Sequence, residues 1–115
     1  MTTAIIANLE KLLGGPRDSA LLRYSLGNEW LKAGVPAKAA VYFRESLSLD
    51  AGYSAAWKQL GKALQDSGNS EAALDAFQRG IAVATDKGDI QAAKEMTVFA
   101  KRLSKQLQEK SSGLP

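Results

Sequence analysis

The chain has 115 residues, enough for one domain, and its 45% apolar and 23% charged content is ordinary for a globular protein. It contains no cysteine and no histidine, which excludes disulfides, thiol catalysis, cysteine metal sites and the commonest general base. The net charge of +3 sits wholly in residues 87–115, which hold six Lys/Arg against three Asp/Glu, while residues 1–86 hold nine of each.

No apolar run is long enough to span a bilayer. The N-terminal stretch MTTAIIANLEKLLGG has no basic segment before its apolar residues and does not read as a secretion signal. A cytoplasmic protein that stays off membranes and needs no cofactor is expected.

Helical spacing opens the chain. Ile5, Ile6, Leu9, Leu12 and Leu13 predict a helix over 2–13, stopped by Gly14-Gly15-Pro16. Asp18 reads as the N-cap of a helix over 19–32 with Leu21, Leu22, Leu26, Trp30 and Leu31 as its apolar residues. Gly27 inside that helix costs roughly 1 kcal/mol against alanine, so its missing Cβ should have a use, such as close approach of a neighbouring helix. A turn at Ala33-Gly34-Val35 leads to Pro36, well placed at the first position of a helix over 36–49 that carries Ala39, Ala40, Phe43, Leu47 and Leu49.

The same design follows again. A helix over 53–66 presents Trp57, Leu60 and Leu64. A turn at Ser67-Gly68-Asn69-Ser70 follows, with Asn69 or Ser70 as cap. A helix over 71–84 turns Ala73, Phe77, Ile81 and Val83 inward. Thr85–Gly88 reads as a break and Asp89 as a cap. The last helix, 90–108, carries a stripe of Ile90, Ala93, Met96, Thr97, Ala100, Leu103 and Leu107. The tail, 110–115, is expected to fray.

The two central pairs are copies. Leu26, Gly27, Gly34, Ala39 and Phe43 recur 34 residues later as Leu60, Gly61, Gly68, Ala73 and Phe77. A fixed period of this size marks a stacked helical array. The same shift taken backwards from Ala39 and Phe43 lands on Ile5 and Leu9, so the first helix reads as the second half of a repeat. The domain is expected to cover 1–109: a half-repeat helix (2–13), two repeats (19–52 and 53–86) and a capping helix (89–108), followed by a flexible tail (110–115).

These residues resemble the tetratricopeptide repeat. Trp57, Leu60, Gly61, Ala73 and Phe77 match its motif in the second repeat, and Leu26, Gly27, Ala39 and Phe43 in the first. Arg23 replaces the leading aromatic of the first repeat, and Ala51 and Thr85 replace the usual proline. The resemblance implies an all-α, right-handed superhelix of antiparallel helix pairs, about six helices in all. It also implies a concave groove, lined by the first helix of each pair, that receives a peptide or helix of a partner protein. Projected onto this chain, the groove takes Leu21, Tyr24, Asn28, Leu31 and Lys32 from the first repeat. The second supplies Ala55, Lys58, Lys62, Gln65 and Asp66, and the closing helix Asp89, Ala92, Met96 and Phe99.

Two features of that set have chemical content. The Asn28 amide can donate and accept toward a ligand backbone. Lys58 and Lys62 are one helical turn apart and suit a carboxylate, so an acidic partner is among those expected, although Asp66 could neutralise Lys62. The carboxylate clamp of some family members is not carried over, because Tyr24 and Gln59 stand where it needs lysine and asparagine.

The leading reading is therefore a protein-interaction module. The alternative is self-association through the end helices, giving a weak homo-oligomer in place of a monomer. A basic C-terminal helix binding an anionic partner or nucleic acid is a minor reading, since three surplus charges are few for a phosphate backbone. No nucleophile–base set, phosphate loop or ligand cluster points to an enzyme or a metal.

Overall fold

In a computed structural model that describes residues 2–112, every regular element is helical. The elements are α1 (Thr2–Glu10), α2 (Ala20–Lys32), α3 (Pro36–Leu49), α4 (Ser54–Asp66), α5 (Ser70–Lys87) and α6 (Ile90–Ser112).

The turns that pair them follow from glycine. Gly34 and Gly68 have φ of 78° and 82°, a left-handed conformation that costs a side-chain-bearing residue about 1 kcal/mol or more. The residue after each reaches back along the helix: Val35 N–H donates to the Trp30 carbonyl at 3.0 Å, and Asn69 N–H to the Leu64 carbonyl at 2.8 Å. These closures satisfy carbonyls left open at the helix ends and reverse the chain, so α2 packs on α3 and α4 on α5.

What brings each pair close is an aromatic ring laid on a backbone. A Cβ added at Gly27 would stand 2.6 Å from Cδ1 of Phe43, and one added at Gly61 would stand 2.6 Å from Cδ1 of Phe77. Both rings are fully buried. The glycine inside each first helix thus makes room for the phenylalanine of the second; the recurrence predicts the close approach but not the ring that makes it.

The pairs then stack. The main core runs from α3 to α6 through Leu47, Leu60, Leu64, Ala76, Met96 and Leu103. A smaller cluster of Ile6, Leu22, Leu26 and Tyr42 holds α1, and Trp30 packs against both clusters. The Tyr42 hydroxyl also donates to Glu10 at 2.7 Å. Burial, then that carboxylate, pushes the phenol up to about 12. The Cα radius of gyration is 15.1 Å with extents of 52 × 34 × 20 Å. A compact domain of this length would be about 13 Å, so the array is open and elongated.

Several helix ends differ from the sequence reading. α1 stops at Glu10 because the chain tightens there: Leu12 and Leu13 N–H groups bond carbonyls only three residues back. Ser19, not Asp18, caps α2, its hydroxyl accepting from Leu22 N–H at 3.1 Å. α4 opens at Ser54, one residue later than expected. α5 runs through Thr85, Asp86 and Lys87, where a break was expected, and ends at Gly88 with φ 78°. Nothing in those three residues forbids a helix, and the Lys87 ammonium donates to the Gly52 carbonyl at 2.6 Å. α6 continues to Ser112, past the expected end at 108 and into the segment read as tail; residues 113–115 lie outside the described residues.

Asp18 has another task. Its carboxylate accepts from Gly14 N–H at 2.9 Å and pairs with Arg23 at 2.7 Å, while Arg23 also meets Glu45 at 2.6 Å. Arg23, standing where the second repeat has Trp57, fastens the first pair by ionic contacts. The Arg23 hydrogen bond, then the Gly14 N–H, holds the Asp18 carboxyl at about 2.

Two outcomes are expected. Helix propensity alone would make Gly61→Ala stabilising by about 1 kcal/mol; the Phe77 ring reverses the sign, and thermal unfolding should show a loss of about 1–3 kcal/mol, smaller when Phe77 is first changed to leucine. The Asp18 link contributes stability above the ordinary carboxyl pKa of 3.8 that is lost as pH falls through about 2. NMR titration should show this midpoint rising in Arg23→Ala.

Candidate functional site

Curvature decides which face can hold a ligand. The backbones of α2 and α4, and of α4 and α6, approach closely, but no Cα of α3 comes within 8 Å of one in α5. A cleft of 510 Å³ separates them instead, with Leu47 on one wall, Ala76 on the other and Trp57 of α4 between. The first helices of the pairs are therefore on the inside of the bend, and their exposed sides form one inner face.

Polar side chains bridge that face from helix to helix. Gln59 of α4 donates from Nε2 to Asn28 Oδ1 of α2 at 2.8 Å. Lys58 of α4 donates from Nζ to Glu95 Oε1 of α6 at 2.9 Å. Aromatic contacts run beside these bridges. The Tyr24 ring lies 4.8 Å from Tyr53 and 5.8 Å from Phe43, and Phe99 lies 5.4 Å from Phe77. The Lys62 ammonium sits 5.2 Å from the centre of the Phe99 ring, within reach of a cation–π attraction.

The structure sorts the residues projected from the sequence. Asn28, Leu31 and Lys32 line one shallow cleft of 410 Å³ together with Ser25, Glu29 and Gln59. Tyr24, Lys62 and Phe99 are half-buried on the inner face, and Gln65 and Asp66 are exposed at the C-terminal end of α4. Lys32 pairs with Glu29 at 3.1 Å.

Three expectations need correction. Met96 is fully buried and no part of the groove: its sulfur fills the space left by the missing side chain of Gly80. Lys58 is not free to meet a ligand carboxylate, because Glu95 already occupies it. Among the described residues no ion pair joins Lys62 to Asp66, and Lys62 lies over Phe99 instead.

Sequence reasoning met Gln59 only as a departure from the clamp and left it out of the groove, and it missed Glu95 and Tyr53 as members of this face. Gln59 and Tyr53 fall outside the repeat motif. Glu95 could be found only by asking which carboxylate lies opposite the lysine pair, and that depends on how α6 stacks on α4. Hydrogen bonds from Lys58 and then Gln91 hold the Glu95 carboxyl below its usual value. Lys62 adds to the effect through space. The inner face is thus less basic than the lysines alone suggest.

What this face can do chemically follows. Asn28 is held by its carbonyl side, and among the described residues its amide N–H groups carry no partner. They can donate to the main chain of a bound segment. Leu31 and the tyrosine and phenylalanine rings offer apolar contact. Lys62 offers one positive charge. No group of three or more His, Asp or Glu side chains that could hold a metal ion occurs among the described residues, and none of their helices is long and apolar enough to cross a membrane.

Comparison with known proteins agrees with the repeat architecture. The profile of the tetratricopeptide repeat family matches residues 31–96. A TPR repeat-containing protein of Pseudomonas aeruginosa is 45% identical over 101 residues, covering 88% of this chain and 96% of that protein. The solution structure of a protein from Bordetella parapertussis superposes with a TM-score of 0.77 at 38% identity, covering 89% of each chain. The Sgt2 TPR domain from Aspergillus fumigatus superposes with a TM-score of 0.80 over 99% of this chain and 74% of that one; at 21% identity it is a likeness of fold alone.

The Lys58–Glu95 bridge gives a direct check. The depressed carboxyl contributes stability that is present above its ordinary pKa of 4.5 and lost as pH falls through the lower folded value. Lys58→Met should move the Glu95 midpoint upward in an NMR titration, while Lys62→Met should move it less.

Proposed function

The chain belongs to the tetratricopeptide repeat family, and on that premise we propose that the inner face formed by α2, α4 and α6 binds a segment of a partner protein. The family is a protein-interaction fold and typically non-enzymatic, so a binding role is the coarse reading, and the inner face is our assignment of it.

The observation that carries the assignment is Asn28. Gln59 fixes its carbonyl oxygen, which turns a freely rotating amide into an oriented donor. It stands in a cleft beside Leu31. An oriented donor next to an apolar side chain suits an extended segment, whose main-chain carbonyls and side chains alternate along its length. Pre-ordering the donor also lowers the entropy lost on binding.

The charge preference of this site is modest. Lys58 is neutralised by Glu95 and Lys32 by Glu29. Lys62 remains, so the segment we propose carries apolar side chains and a single carboxylate placed toward Phe99. A strongly acidic segment would have to displace Glu95 from Lys58 and gain little.

The test is capture of partners by the full chain, identification by mass spectrometry, and titration of the best partner against variants. Asn28→Ala should weaken binding by about 1 kcal/mol, roughly fivefold in Kd, and Lys62→Glu by more. Lys58→Met should change it little. A partner whose affinity is the same for all three variants does not use this face, and the assignment then fails.

A further inference from the structure

α6 repeats α4, but among the described residues no helix covers its outer side. Counting from the first residue of each helix, Leu60 of α4 matches Met96 of α6, Gly61 matches Thr97, and Leu64 matches Ala100. Met96 and Ala100 are buried as Leu60 and Leu64 are. On α4 the outer side is covered by α5, with Phe77 on Gly61. On α6 no element of the described residues takes that place.

The result is an open apolar groove of 640 Å³ between α5 and α6, lined by Ile81, Ile90, Ala93, Thr97 and Val98. Ile90 and Val98 are 63% and 47% exposed. Ile81 stands one period after Leu47, which is only 7% exposed because it has α5 across the cleft from it. The Thr97 hydroxyl donates to the Ala93 carbonyl at 2.7 Å, so it asks for no polar partner in the groove.

One edge of this groove is basic. Lys94 lines it, and Lys101 and Lys105 follow at helical spacing on α6. All three are exposed, and among the described residues none has an ion-pair partner. Glu95, the acidic residue beside Lys94, is turned to the inner face and held by Lys58. The positive surplus of the C-terminal region therefore stands next to the uncovered apolar strip.

We propose that this groove receives an amphipathic helix from an acidic partner protein, which takes the place of the second helix of a third repeat. Thr97 replaces glycine, so the incoming helix carries a residue smaller than phenylalanine at the point of closest approach. Its flanks carry carboxylates for the α6 lysines. The first helix of a second copy fits less well. Ile5 of α1 is 46% exposed and stands one period before Ala39, but the one charged residue of Thr2–Glu10 is Glu10, already held by Tyr42.

The probe is a synthetic amphipathic helix with alanine and leucine on one face and glutamate on its flanks, compared with the same peptide carrying lysine in place of glutamate. Titrated into the full chain, the acidic peptide should shift the amide signals of Ile81, Thr97 and Val98. It should bind about tenfold or more tightly than the basic one, and more weakly as salt is raised. Val98→Asp, at an exposed position, and the pair Lys94→Glu/Lys101→Glu should each weaken it about tenfold. Equal binding of the two peptides, no binding of either, an unchanged affinity in Val98→Asp, or shifts at Asn28 and Lys62 instead would each overturn the proposal. So would a dimer seen by sedimentation that Ile5→Asp abolishes, since that assigns the groove to a second copy of the chain.

Discussion

The contact on which the rest depends is a phenylalanine ring pressed onto a glycine backbone, made once by Phe43 on Gly27 and again by Phe77 on Gly61. Each glycine weakens its own helix by about 1 kcal/mol relative to alanine. Each buried ring is worth about 3–5 kcal/mol against truncation to alanine. The exchange favours the pair, and it also sets how near the two axes come. Once two pairs share the same spacing, their outer surfaces match and can stack. Gly80 carries the principle to the next helix, where the Trp57 stem and the Met96 sulfur share the space it leaves.

Stacking puts first helices against first helices, and that is where the inner face we propose as the recognition surface arises. The repeat motif assigns its apolar residues to packing and leaves the inner face unspecified. In this chain the inner face is crossed by Asn28–Gln59 and Lys58–Glu95. Such bridges hold neighbouring helices in register at little cost in stability, because exposed ion pairs contribute at most about 1 kcal/mol. They also remove groups from circulation. A lysine held by a glutamate is a poor receptor for another carboxylate, whereas an asparagine held by its oxygen is a better donor through its nitrogen. The same kind of contact lowers one capacity of the face and sharpens another.

The two ends of the array are finished differently. At the N-terminal end α1 lies against α2 and α3, with Ile6 buried and the Tyr42 hydroxyl fixed on Glu10. At the other end α6 seats Met96, Ala100 and Leu103 on its inward side and leaves Ile90 and Val98 uncovered beside a row of lysines. A chain built only to be closed would be expected to place polar residues there, since end units of helical arrays need a polar outer face for solubility. The mixture of apolar groove and basic edge is instead what leads us to propose that a partner covers this surface.

The sequence by itself determined the period, the two glycine turns and the close approach of a neighbouring helix at Gly27 and Gly61. These are short-range relations that repeat at a constant shift, so the residue pattern carries them completely. The projection implied by the family resemblance placed Asn28, Lys62 and Phe99 on one face. Only the tertiary structure decided the fate of Met96, Lys58 and Asp18. α5 runs to Lys87, which advances α6 beyond the constant shift and turns Met96 onto Gly80. Which carboxylate meets Lys58 depends on the twist between stacked pairs, and no spacing within one helix records that. Asp18 left its expected cap because the charged Arg23 guanidinium and the Gly14 N–H hold its carboxylate, while the Ser19 hydroxyl takes the cap. Local pattern specifies what packs within a pair; the geometry of stacking specifies which polar groups remain for a partner.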